Sequence, residues 1–157
     1  MALAQAAVLT DPPLLVPLDV PTVEEARAVV AALGESVGFY KVGLELFATG
    51  GMMLAQELKA QGKQVFLDWK LHDIGTTVQR AASVLADSGC DFLTVHAEPQ
   101  VLQAAVRGKG RSNLKILGVT VLTSLGDADL TEMGFNEPAR SLVERRIHHA
   151  IAAGADG

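Results

Sequence analysis

The feature that most constrains the fold is a repeat. A short apolar run ending on a polar or charged residue is followed by an amphipathic stretch, and the pair recurs about every 22 to 28 residues. The apolar runs are Leu14 to Asp19, Gly38 to Val42, Gln64 to Asp68, Asp91 to His96 and Lys115 to Thr120. Between and after them lie Thr22 to Leu33, Leu44 to Gln61, Thr76 to Ser88, Gln100 to Arg107 and Glu137 to Ala153, with apolar residues three and four apart. Gly34, Gly62, Gly89 and Gly154 fall where a helix should stop. Thr22 stands where a helix should start, with Glu24 and Glu25 in its first turn. Strands alternating with helices predict a parallel sheet buried on both faces.

Such a repeat fits a doubly wound sheet or a closed barrel, and two observations favour the barrel. No Gly-x-Gly-x-x-Gly follows the first strand and no Walker-type loop occurs. The polar residues Asp19, Lys41, Asp68, Lys70, His96 and Thr123 gather at the C-terminal ends of strands, where a barrel brings its functional groups to one mouth. The expected fold is therefore α/β, a TIM (β/α)8 barrel. A barrel takes ~250 residues, and residues 153–157 read as the run into a further strand. The expectation is a single incomplete barrel domain over 1–157, covering about the first five βα units, with 1–12 as a loosely ordered lead-in.

Composition supports a packed domain: 49% of residues are hydrophobic and 20% charged. The net charge of -5 is spread without like-charged runs, which argues against nucleic acid or an anionic membrane as partner. No stretch approaches the ~20 apolar residues of a membrane span, and the N-terminus lacks the basic start of a secretory signal. The lone cysteine, Cys90, has no partner for an internal disulfide and reads as a buried thiol in a cytoplasmic protein.

The most informative run is Val65 to Thr77, which contains Asp68, Trp69, Lys70, Leu71, His72, Asp73, Ile74, Gly75 and Thr76. Alternation along a strand turns Asp68 and Lys70 to one side and Leu67 and Trp69 to the other. If Leu67 and Trp69 pack on the helices, Asp68 and Lys70 face the mouth, and Asp73 lies in the loop beyond. Charges gathered at the end of an apolar strand must be paired, which is an uneconomical arrangement for structure alone. A solvated loop with one ion pair would explain Asp-x-Lys; the full Asp-x-Lys-x-x-Asp pattern is more specific.

That pattern, Asp68-Trp-Lys70-Leu-His-Asp73-Ile-Gly, resembles the signature of the orotidine 5'-phosphate decarboxylase family. The similarity extends in order over Val16-Pro-Leu-Asp19, Phe39-Tyr-Lys41-Val-Gly43, Thr94-Val-His96-Ala and Gly118 to Ser124, matching the N-terminal two-thirds of that family. The resemblance implies decarboxylation of orotidine 5'-phosphate (OMP) to UMP in pyrimidine biosynthesis, without metal or cofactor. It implies that Asp19 and Lys41 hold ribose hydroxyls, that Asp68 lies against the substrate carboxylate, and that Lys70 delivers a proton to C6. Asp73, Ile74 and Thr77 would reach the neighbouring site of a homodimer, and Thr123 would touch the nucleotide. The rest of the run, Trp69, Leu71, His72, Gly75 and Thr76, would complete the substrate-binding set; His96 reads as a packed residue. Trp69 stands where a smaller aliphatic residue is usual, and Thr76 where an amide is frequent. The family's phosphate-gripping Arg and closing loop belong to its C-terminal part, so the 157-residue chain alone is expected to be weak or inactive.

The nearest competing reading is a magnesium-dependent relative, a 3-keto-gulonate-6-phosphate decarboxylase or hexulose-phosphate synthase. Those share Asp-x-Lys-x-x-Asp but carry a metal-binding Glu where this chain has Lys41. A non-catalytic half-barrel is the other alternative. His148 and His149 are adjacent on a helix and point about 100° apart, so they cannot share an ion; with Arg145 and Arg146 they read as complements to the helix dipole. Gly50-Gly51 and Gly108-Lys-Gly110 read as loop turns, and Gly126 to Asp129 lacks the spacing of a calcium loop.

Overall fold

Five short strands lie side by side in chain order, all parallel: β1 (Leu15–Pro17), β2 (Phe39–Gly43), β3 (Gln64–Leu71), β4 (Phe92–His96) and β5 (Lys115–Val119). This is seen in a computed structural model, which describes residues 14–157; the lead-in expected over 1–12 lies outside the described residues. The helices are α1 (Val23–Leu33), α2 (Leu44–Thr49), α3 (Gly51–Ala60), α4 (Gly75–Asp87), α5 (Pro99–Lys109), α6 (Asp127–Glu132) and α7 (Ala139–Ala153). The expected βα repeat is present, and with it the first five units of the barrel.

Alternation along the strands divides the sheet into two faces. Tyr40 and Val42, Val65, Leu67 and Trp69, Leu93 and Val95, and Ile116 are buried toward the helices. The opposite face stacks in layers from the strand starts upward. Phe39, Phe66 and Phe92 form the lower layer, with ring centroids 5.5 Å (Phe39–Phe92) and 6.0 Å (Phe66–Phe92) apart. One step further along each strand stand Lys41, Asp68 and Thr94. Apolar below and charged above, this face presents its chemistry only at the strand ends.

Local signals behave as their chemistry requires. The Thr22 hydroxyl accepts the Glu25 N–H at 3.1 Å and caps α1. Gly34, Gly62, Gly89 and Gly154 all have positive φ, at 53°, 75°, 76° and 76°. Three expectations need correction. The helix expected over Leu44 to Gln61 is broken at Gly50, whose φ of 115° favours glycine, into α2 and α3. Gly108 is not a loop residue but part of α5. A Cβ there would come within 2.3 Å of Gln79 O and 2.8 Å of the Ala82 Cβ on α4, so the missing side chain lets the two helices meet. The short helix α6 was not foreseen; it starts where Asp129 Oδ2 accepts the Gly126 N–H at 2.7 Å.

Beyond α7 the backbone runs alongside β5, with Asp156 N–H donating to Ile116 O at 2.9 Å and Gly118 N–H to Gly157 O at 2.8 Å. Asp156 secures the junction by accepting from Ile116 N–H at 2.9 Å and Lys109 Nζ at 2.7 Å. Residues 153–157 do approach the sheet as a sixth strand would, on the side of β5 away from β4. Among the described residues no helix is long and apolar enough to cross a membrane.

Candidate active site

The strand ends bring four charged side chains into one alternating series. Lys41 Nζ on β2 lies 2.9 Å from Asp19 Oδ1, just past β1, and 3.4 Å from Asp68 Oδ2 on β3. The other oxygen, Asp68 Oδ1, takes the Lys70 ammonium at 2.8 Å. Parallel pairing produces this alignment, since Gly43 is in register with Asp68 and Lys41 with Phe66. Gly43 also leaves room for the series: a Cβ there would lie 3.1 Å from Asp19 Oδ1 and 3.7 Å from Lys41 Nζ. Burial pushes the Asp68 carboxyl up, but hydrogen bonds from Lys70 and Thr94, with the charges of Lys70 and Lys41, hold it below the ordinary carboxylate value.

The backbone at Lys70 is unusual. Its φ is 49°, the sole positive value outside glycine among the described residues. A left-handed residue with a side chain costs about 1–3 kcal/mol and persists only where its surroundings enforce it. Pairing with β4 slips here, passing from Leu67↔Leu93 to Leu71↔Val95, so Lys70 sits in an irregularity of the strand pair. The Thr94 hydroxyl fills the gap, accepting the Lys70 N–H at 3.0 Å and donating to Asp68 Oδ1 at 3.0 Å.

A second cluster flanks the first. The His72 and His96 rings stack with centroids 4.9 Å apart, and His72 Nε2 lies 3.7 Å from Glu98 Oε2. Glu98 Oε1 accepts from Arg146 Nη2 at 2.7 Å, and Arg146 Nη1 donates to the Thr120 carbonyl at the end of β5. Burial holds His96 below its ordinary imidazole value, with the Glu98 charge opposing the shift. Arg146 is thus committed to Glu98 and Thr120, and Arg145 to Glu137. Contrary to the dipole reading from sequence, neither serves the end of α7, whose last turn has no basic residue.

The remaining expected site residues are distributed around this centre. Trp69 faces away from Lys70, buried against Phe47 at a ring distance of 4.6 Å. Leu71 ends β3, and Gly75 opens α4 with its Cβ position 3.8 Å from that of Ala104. Asp73 turns its carboxylate to its own neighbour, accepting the Ile74 N–H at 2.6 Å, and within the chain does not join Lys70. Ile74 is 67% exposed, and Thr76, Thr77 and Thr123 are exposed as well. Thr94, Glu98 and Arg146 were not among the site residues expected from the sequence. Thr94 carried a weak signal, an inward polar position on an apolar strand; Glu98 and Arg146, distant in sequence, carried none.

A family model for the orotidine 5'-phosphate decarboxylase / HUMPS family matches residues 12–157. The chain belongs to that family. It is 68% identical over 147 residues to the orotidine 5'-phosphate decarboxylase of Caulobacter vibrioides (strain NA1000 / CB15N), covering 94% of this chain and 63% of that protein. To the enzyme of the same name from Rhodopseudomonas palustris (strain HaA2) it is 54% identical, covering 92% of this chain and 61% of the relative. The crystal structure of orotidine 5'-phosphate decarboxylase from Lactobacillus acidophilus superimposes with a TM-score of 0.85 at 38% identity, over 92% of this chain and 69% of that one. An uncharacterized conserved protein from Geobacillus kaustophilus gives the same TM-score at 35% identity. The chain spans about 63% of the length of the Caulobacter relative it matches.

Proposed function

We propose that the chain carries the first part of the active site of an orotidine 5'-phosphate decarboxylase, acting on OMP to give UMP without metal or organic cofactor. The observation that carries this reading is the series Asp19–Lys41–Asp68–Lys70, with successive separations of 2.9, 3.4 and 2.8 Å. Loss of CO2 from C6 leaves an electron pair in an sp2 orbital orthogonal to the ring π system. Resonance cannot spread it, so a fixed cation must stabilise it. Lys70 is that cation: the C6–carboxylate bond breaks, the pair stays on C6, and Nζ supplies the proton that converts it to C–H. The amine then regains a proton from water. Asp68, held between two ammonium groups, lies against the departing carboxylate, while Asp19 and Lys41 hold the ribose hydroxyls.

Asp73, Ile74 and Thr77 serve the neighbouring site of a homodimer, and Thr123 contacts the nucleotide. Their exposure, with an isoleucine 67% open, supports a role outside their own subunit's core. Leu71, His72, Gly75 and Thr76 complete the wall beside the substrate, and Trp69 backs it from the helix side. The protein works in the cytoplasm.

The magnesium-dependent reading is less well supported. The place between Asp19 and Asp68 that a divalent cation would need is filled by the Lys41 ammonium, so these carboxylates do not fit a metal. The deciding experiment supplies OMP to the protein at the length its gene encodes and follows UMP by chromatography, with and without EDTA. Chelator-insensitive turnover that disappears in Lys70→Ala is expected. Turnover only of sugar phosphates, or dependence on added magnesium, overturns the reading. The 157-residue chain alone is expected to give little or no UMP.

A further inference from the structure

Thr94 is one of two buried polar side chains among the described residues, 6% exposed, and its hydroxyl faces Asp68 and Lys70. A hydroxyl has one proton to give and lone pairs to accept with. Here the proton goes to Asp68 Oδ1 and a lone pair takes the Lys70 N–H, both at 3.0 Å. The register with β4 breaks between Leu67 and Leu71, so no regular ladder bond is provided for that N–H. The Thr94 side chain therefore supplies the acceptor at the one non-glycine residue with positive φ among the described residues.

We propose that Thr94 is a positioning residue, fixing through one hydroxyl both the left-handed backbone that carries Lys70 and the rotation of the Asp68 carboxylate. Three contacts hold that carboxylate. Oδ1 takes the Thr94 hydroxyl and the Lys70 ammonium, and Oδ2 faces the Lys41 ammonium. Without the hydroxyl, Oδ1 keeps only Lys70 and can turn with it, while the Lys70 N–H loses its acceptor and the strand can relax toward ordinary pairing. The ammonium would then stay near Asp68 without a fixed direction. This rests on the decarboxylase reading for its consequence in catalysis, but not for the geometry.

The test compares Thr94→Val, which keeps the branched shape and loses the hydroxyl, with Thr94→Ser, which keeps the hydroxyl and loses the methyl. Thr94→Ala is a second hydroxyl-free variant should the valine disturb folding. At the gene-encoded length, Thr94→Val is expected to lower kcat for OMP by about tenfold to a hundredfold with KM changed by about twofold at most, as for a misaimed group that acts in the transition state. Thr94→Ser should stay within about threefold of the parent in kcat. Carboxyl 13C NMR should show the Asp68 titration moving up toward its ordinary value in Thr94→Val and not in Thr94→Ser. The Lys70 amide should exchange with solvent at least about tenfold faster in the valine variant alone. A packing role predicts the reverse order, with serine the worse. An Asp68 titration and Lys70 amide unaffected by valine overturn the proposal. If the parent does not decarboxylate OMP yet the NMR changes follow the hydroxyl, the functional reading fails and the positioning role stands.

Discussion

Glu98 and Arg146 bind each other at 2.7 Å although the first opens α5 and the second lies in the middle of α7. The pair is mostly shielded from solvent, with 29% and 13% of the side chains exposed, and the guanidinium also donates to Thr120 O. Arg146→Ala leaves a carboxylate and a carbonyl without their donor, and is expected to cost about 2–3 kcal/mol of stability. In a Glu98→Gln background the further loss should fall to about 1 kcal/mol. Urea unfolding of the four members of this cycle measures it.

The conformation of Lys70 gives a prediction separate from its chemistry. Lys70→Ala and Lys70→Gly both remove the amine and should abolish UMP formation alike. Only glycine accepts a φ of 49° freely, so Lys70→Gly is expected to be more stable than Lys70→Ala by about 1 kcal/mol. Equal unfolding midpoints would mean that the backbone is not strained at this position.

Asp156 should set part of the acid sensitivity. Burial pushes its carboxyl up, but the hydrogen bonds from Lys109 and the Ile116 N–H, with the charges of Lys109 and Lys115, bring it below the ordinary value of 3.8. A carboxyl depressed in the folded state contributes stability that is full above its unfolded pKa and is lost as pH falls through the folded one. The stability advantage of the parent over Asp156→Asn should therefore be constant near neutrality and shrink as the pH falls below 3.8, where denaturant titrations at several pH values will follow it.

Gly108 tests the contact between α4 and α5. Alanine in a helix interior normally gains about 1 kcal/mol over glycine. Here its Cβ would meet Gln79 O at 2.3 Å, an atom of the backbone that cannot swing aside. Gly108→Ala is expected to destabilise by about 2 kcal/mol or more, reversing the usual sign, as thermal unfolding would show.

Much of this arrangement was written locally in the chain. The strands were legible because each is a short apolar run closed by a polar residue, and Thr22 and the stop glycines mark helix ends through their own backbone preferences. The Asp68–Lys70 pairing was legible because strand side chains alternate with period two. What stayed hidden depends on neighbours brought in by the fold. The apolar spacing over Leu44 to Gln61 runs straight through Gly50-Gly51, a pair read as a loop turn, and β3 continues through Leu71 because β4 pairs with it there despite its charges. The left-handed turn of Lys70 needs the Thr94 hydroxyl from another strand, and no pattern in a single segment announces it.

The near-contact of backbones at Gly108 reaches further than stability. Helices separated by ordinary side chains can slide or roll by small repacking, whereas two that touch main chain to main chain have no such freedom. The turn bearing Asp73 leads into one of these helices and the turn bearing Glu98 into the other. Those two stretches of the rim must therefore travel as one piece.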